Sequence, residues 1–234
     1  MAEHRAVICG LLLLALVAQC TAAPTEDECD IHALDKCAAD LFVFATRNTV
    51  PETEADLQSF CKSQLDAEVC SRNYIKKCTS SVAQGVGNIF LDDVKLEIQD
   101  RCDTSTEYHK EYLKHAPCLN KVGAKFNTCI KNTIADLDVA SRLEPRHRIA
   151  GACCQYNKLD DCVSKAVGST CPPEALEFSK NVLKRYAGEL LGTVCVGFRT
   201  KAKCEGIKYD DKPADASLRS VIAPLIRVGA ALQG

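Results

Sequence analysis

Charge imbalance is almost missing from this 234-residue chain: 29 basic residues stand against 31 acidic ones, a net of -2. With no basic patch, nothing draws a polyanion or an anionic membrane to it, which excludes nucleic acid as an expected partner. Histidine is scarce. Beyond the first residues only His32, His109, His115 and His147 remain, at no ligand spacing, and neither Cys-x-x-Cys nor His-Glu-x-x-His occurs. The sequence therefore predicts no metal and no other cofactor. Serine nucleophile elbows, phosphate-binding loops and dinucleotide fingerprints are missing too. The acid pairs Asp92-Asp93 and Asp160-Asp161 are adjacent, so they point different ways on a helix and read as wetted faces. His109 and His115, in a charged stretch, read as solvated. No Asn-x-Ser/Thr sequon is present, and Asn127-Thr128-Cys129 is a poor acceptor committed to a disulfide.

Long apolar runs are nearly missing as well. The one that occurs is Ala6 to Ala18, preceded by Arg5 and followed by the small residues Cys20-Thr21-Ala22-Ala23. It is too short to span a bilayer and has the build of a secretory signal peptide over residues 1–23. No later run reaches the roughly 18 to 20 residues a transmembrane helix needs. The mature chain is expected to be soluble, secreted and extracellular.

What the chain has in quantity is cysteine, 16 in all, spread along its length, with enough apolar residues (47%) to build a core. That reads as a disulfide framework made in an oxidising compartment. Cleavage between Cys20 and Pro24 leaves an even set: Cys29, Cys37, Cys61, Cys70, Cys78, Cys102, Cys118, Cys129, Cys153, Cys154, Cys162, Cys171, Cys195 and Cys204. Within it the spacing repeats. Cys37, Cys61, Cys70, Cys78 and Cys102 step by 24, 9, 8 and 24, and Cys129, Cys153, Cys162, Cys171 and Cys195 by 24, 9, 9 and 24. Fourteen cysteines allow on the order of 10⁵ pairings, so spacing has to be read together with helical pattern.

Apolar residues recur at helical spacing at Ile31, Leu34, Cys37, Leu41 and Ala45, and stop at Asn48-Thr49-Val50-Pro51. A second helix opens at Thr53, with Asp56 three residues on, and carries Leu57, Phe60, Cys61, Leu65 and Val69 on one face. The turn near Pro51 predicts a hairpin stapled by Cys37–Cys61, and Cys129–Cys153 reads as its counterpart around Pro145. Between Cys78 and Cys102 the apolar residues keep helical spacing without proline, although Gly85 and Gly87 weaken the first turns. At 1.5 Å per residue such a helix holds its ends roughly 30 Å apart, so these two cysteines bond elsewhere. The same holds for Cys171 and Cys195, flanking a helix that Pro172-Pro173-Glu174 starts and that buries Leu176, Leu183, Tyr186, Leu190 and Val194. Cys154 and Cys204, unmatched in the first half, are expected to bond each other. Tyr156 reads as a residue packed against disulfides.

The predicted fold is an all-α, disulfide-rich protein of two repeated cysteine-stapled helical units, 24–116 and 117–205, with Pro117 closing a charged segment at their boundary. Residues 206–234 form an exposed loop at Asp210-Asp211-Lys212-Pro213, then an apolar strip, Leu218 to Ile226, broken by Pro224. That strip reads as a tail helix docked on the core. A partner-binding helix and a removed lipid-anchor signal are the other readings, and Arg227 counts against the anchor.

The string Cys153-Cys154-Gln155-Tyr156-Asn157-Lys158 resembles the active helix of secreted phospholipases. Asn157 and Lys158 stand where those enzymes need histidine and aspartate, and no glycine-rich calcium loop precedes them. The wider pattern, Cys-Cys-x-Tyr-x-x-Leu-x-x-Cys with Cys171-Pro172-Pro173 and the Ser-Leu-x-x-x-Ile-x-Pro-Leu-Ile ending at 217–226, resembles the arthropod 27 kDa haemolymph glycoproteins. That resemblance implies a secreted, mostly helical body-fluid protein, and the missing sequons depart from the family's name. The expected function is non-enzymatic: an extracellular protein that binds or carries a small apolar ligand between its two helical units. The alternative is a secreted protein ligand, such as a venom, defence or signalling factor, acting on an extracellular protein partner through its tail.

Overall fold

The computed structural model describes residues 29–198, 200–209 and 214–230. The signal-peptide stretch and the Asp210–Pro213 loop lie outside the described residues. Among those described there is no strand, and no helix is long and apolar enough to cross a membrane.

The first four helices begin where a side chain accepts an otherwise orphaned backbone N–H. Asp30 caps α1 (Ile31–Ala38). Thr53 caps α2 (Glu54–Cys78), its hydroxyl accepting from the Asp56 N–H and donating to the Asp56 carboxylate, as the sequence predicts. Ser80 caps α3 (Ser81–Cys102) and Thr106 caps α4 (Glu107–Lys121). Next come α5 (Gly123–Ser141), α6 (Pro145–Gly168) and α7 (Pro173–Thr193), the last two with proline in the first turn. A short 3-10 turn (Val196–Phe198), a one-turn α8 (Lys201–Cys204) and the tail helix α9 (Ile222–Ala230) complete the chain. α2 packs on α1 and α3, and α6 packs on α5 and α7; α3 meets α7, and α9 lies across α1, α3, α5 and α6. One buried apolar cluster runs through all of these contacts.

All fourteen cysteines are bonded, but both hairpin staples differ from the expectation. Cys37 bonds Cys70 and Cys129 bonds Cys162, while Cys61 bonds Cys102 and Cys153 bonds Cys195. The reason is helical phase. Nine residues are about two and a half turns, so Cys61 and Cys70 leave opposite faces of the unbroken α2, one toward α3 and the other toward α1. Cys153 and Cys162 do the same on α6. The remaining bonds are Cys29–Cys78, Cys118–Cys171 and Cys154–Cys204, the last as expected. Neither Cys78 with Cys102 nor Cys171 with Cys195 is joined, as the intervening helices require. The three bonds of the first half and the first three of the second nest in the same order, with separations of 49, 33 and 41 against 53, 33 and 42 residues.

Further expectations need correction. α1 ends at Ala38, and Leu41-Phe42-Val43-Phe44-Ala45 is a buried irregular segment rather than more helix. Buried carbonyls need partners, and two buried amides supply them: Gln64 Nε2 donates to Asp40 and Leu41, and Asn127 Nδ2 to Phe44 and Ala45. Leu57, Phe60 and Cys61 are buried on α2 as predicted, but Val69 is 55% exposed. The inward face continues through Gln64, Glu68 and Ser71, polar residues that periodicity passes over. α4 runs through Pro117, because the buried face of His109, Tyr112, His115, Ala116 and Leu119 outweighs the lost N–H. His109 and His115 are each 4% exposed rather than solvated. The ring of His109 bridges the Arg101 carbonyl and the Glu54 carboxylate, and that of His115 meets Glu111. Pro224 does not break the tail helix. It sits in the first turn of α9, where its missing N–H would have no helical partner.

Candidate ligand cavity

The expected docking of the tail completes an interior space. α9 crosses α3 at Gly87, where any Cβ would lie 2.7 Å from the Ile226 side chain, so glycine permits the close approach. A pocket of about 130 Å³, partly open to the surface, remains where α3, α5, α6, α7 and α9 meet. Val86 and Phe90 of α3 form one side and Ile130 and Leu137 of α5 another. α7 contributes Leu183, Tyr186 and Leu190, α9 contributes Leu225 and Val228, and Phe42 closes one end, its ring 4.6 Å from that of Tyr186. Helices from both halves of the chain and the tail thus share one chamber.

Its few polar groups are mostly engaged elsewhere. The Thr133 hydroxyl donates to the Cys129 carbonyl. Gln155 Nε2 donates to the Gly151 carbonyl and the Tyr209 oxygen, while its Oε1 is buried with no partner among the described residues. Tyr186 turns toward a buried ionic network: burial and then the Glu97 charge hold its phenol un-ionised well above the usual range. In that network Arg101 donates to Glu97 at 2.9 and 3.1 Å and to Gln64 at 2.7 Å, and Tyr108 donates to Glu97 at 2.9 Å. Burial alone would lower the Arg101 pKa, but the Glu97 charge and hydrogen bond together with the nearby Tyr186 and Tyr112 phenols outweigh it, and the net shift is upward. Glu97 and Arg101 neutralise each other, and apart from Gln155 Oε1 and the Tyr186 hydroxyl, which have no hydrogen-bond partner among the described residues, the chamber wall is almost wholly carbon and sulfur.

The chamber adjoins a second space. A cleft of about 310 Å³ opens between α6, α7 and the 3-10 turn, and Cys153, Tyr156, Leu191 and Cys195 border both spaces. The Cys153–Cys195 bond is therefore part of the wall the two share, and Tyr156, packed against the core, belongs to the same wall. Asn157 and Lys158 are structural: Asn157 Nδ2 donates to the Phe198 carbonyl, and Lys158 pairs with Asp136 over the Tyr209 ring. Among the acid pairs, Asp92 pairs with Arg72, while Asp93 accepts the Glu189 N–H. Burial raises the Asp93 pKa. Asn127 is buried against the Phe44 and Ala45 carbonyls and is no acceptor for a glycan. Sequence reasoning named no lining residues beyond packing positions. Their one signal was the apolar face of each helix, which does not tell a filled core from a hollow one. The chain matches no family model, no curated protein and no solved structure.

Proposed function

We propose that this is a secreted, non-enzymatic extracellular protein that carries a small apolar ligand in the chamber between its helices. The observation that carries the reading is the chamber itself, about 130 Å³ inside a core tied by seven disulfides. An apolar cavity of about 150 Å³ stays dry and takes up benzene-sized molecules. A disulfide framework of this density fits an oxidising, extracellular setting, in keeping with the signal-peptide reading of residues 1–23. The tail reading that favoured a protein partner loses support, because Leu218, Val221, Ile222 and Ile226 are buried against the core.

Benzene titration of the purified protein, followed by calorimetry and by the shift in thermal unfolding, tests the proposal. Saturable uptake by the native chain is expected, together with its loss in Ala187→Phe, which fills the chamber. Absence of uptake by the native protein would overturn the carrier role.

A further inference from the structure

We infer that the ligand is a single-chain amphiphile with an anionic head, whose alkyl end occupies the chamber and whose carboxylate lies in the outer cleft by Lys184. This deepens the carrier reading and rests on it. The adjacency of the two spaces is the first support: Tyr156, Leu191 and the Cys153–Cys195 bond border both, so a chain seated in the chamber lies one side chain away from the cleft. The Cys153–Cys195 bond fixes α6 against the segment just after α7, so the border between the two spaces is held in place.

The second support is the bare floor of the cleft. Gly188 and Gly192 are one turn apart on α7, hence on one face, and both line the cleft. Glycine weakens a helix relative to alanine. Neither position has positive φ, and at neither would an added Cβ meet any atom within 4 Å. The fold demands glycine at Gly123, where a Cβ would overlap the Asn48 carbonyl oxygen, but it demands none at these two. Their effect is to keep the cleft open. The third support is charge. Lys184, one turn before Gly188 on the same face, borders the cleft and makes no ion pair or hydrogen bond among the described residues. Its neighbour Arg185 is held by Asp100. Facing Lys184 across the cleft are the neutral groups Asn157 and Phe198. A chain ending in an anion matches this order of carbon-walled chamber, shared border and lysine at the rim.

Octanoate, octanol and octylamine, titrated alongside benzene, separate this inference from the carrier reading. Octanoate is expected to bind more tightly than octanol by about tenfold, the size of one charge-assisted hydrogen bond. In Lys184→Glu, an exposed position where folding is not at stake, that order should reverse in favour of octylamine. In Gly188→Leu, octanoate binding should weaken by about tenfold or more, with benzene uptake and circular dichroism unchanged. If benzene binds but octanoate shows no advantage over octanol, or Lys184→Glu leaves the order intact, the anionic amphiphile is wrong and the carrier reading stands. Binding of none of the four overturns both.

Discussion

The buried carboxylate of Asp35 on α1 accepts both the backbone N–H and the hydroxyl of Ser220, each at 2.8 Å, joining residues 185 apart in sequence. It also accepts the Arg219 N–H at 2.9 Å. These bonds lie just ahead of α9, so one of the first helices holds the last one in place. No disulfide follows Cys204, and among the described residues the segment leading into α9 is also tied by its apolar face, by the Asp215 N–H to Asp138 at 2.9 Å and by Arg227 to Asp138 at 2.8 Å.

Asp35→Ala should therefore loosen the tail before anything else. Hydrogen bonds to charged groups contribute roughly 1.5–3 kcal/mol, so a loss of about 2–3 kcal/mol is expected in urea unfolding. Limited proteolysis should cut between Cys204 and α9 faster than in the native protein. An unchanged cleavage rate would show that Asp35 does not anchor the tail.

The Glu97–Arg101 pair is wholly buried, with both side chains inaccessible. Glu97→Ala leaves a guanidinium without its counter-charge and should cost about 3–5 kcal/mol. Replacing both, as Glu97→Leu with Arg101→Met, should recover most of that loss. Denaturant unfolding of the two variants decides it; equal destabilisation of the single and double variants would argue against a charge-pairing role.

Alkaline pH should destabilise the fold through its tyrosines. Tyr108, Tyr112 and Tyr186 all have phenols pushed upward, in each case chiefly by burial. A group with a raised folded pKa contributes stability that is fully present below its unfolded value, near 10 for tyrosine, and lost as pH rises toward the folded one. Absorbance titration should show these three phenols silent around pH 10 in the native protein and titrating there once it is unfolded. Stability should fall over the same interval. Native ionisation of all six tyrosines of the chain near pH 10 would contradict the burial described.

Local signals were read correctly where they act locally. Thr53 with Asp56 and Pro172-Pro173 mark helix starts because capping and proline geometry depend on neighbours in sequence. The segment Leu41–Ala45 misled for the opposite reason. Its carbonyls are satisfied by Gln64 and Asn127, 23 and 83 residues away from Leu41 and Phe44, which no local pattern reveals. His109 and His115 looked solvated among charged neighbours, yet the partners that make their burial tolerable are the Arg101 carbonyl, Glu54 and Glu111.

From the sequence alone came the all-helical class, the participation of every cysteine from Cys29 to Cys204 in disulfides, and the rule that the helices ending near Cys102 and Cys195 keep their flanking cysteines apart. These follow from periodicity, parity and the length of a helix. Which cysteines pair was decided by the tertiary structure. A step of nine residues sends Cys61 and Cys70 to opposite faces, but the partner met on each face depends on where α1 and α3 come to lie. The chamber belongs to the same category: an apolar face shows that a residue points inward, and only the packed positions of five helices show that the space between them is not filled.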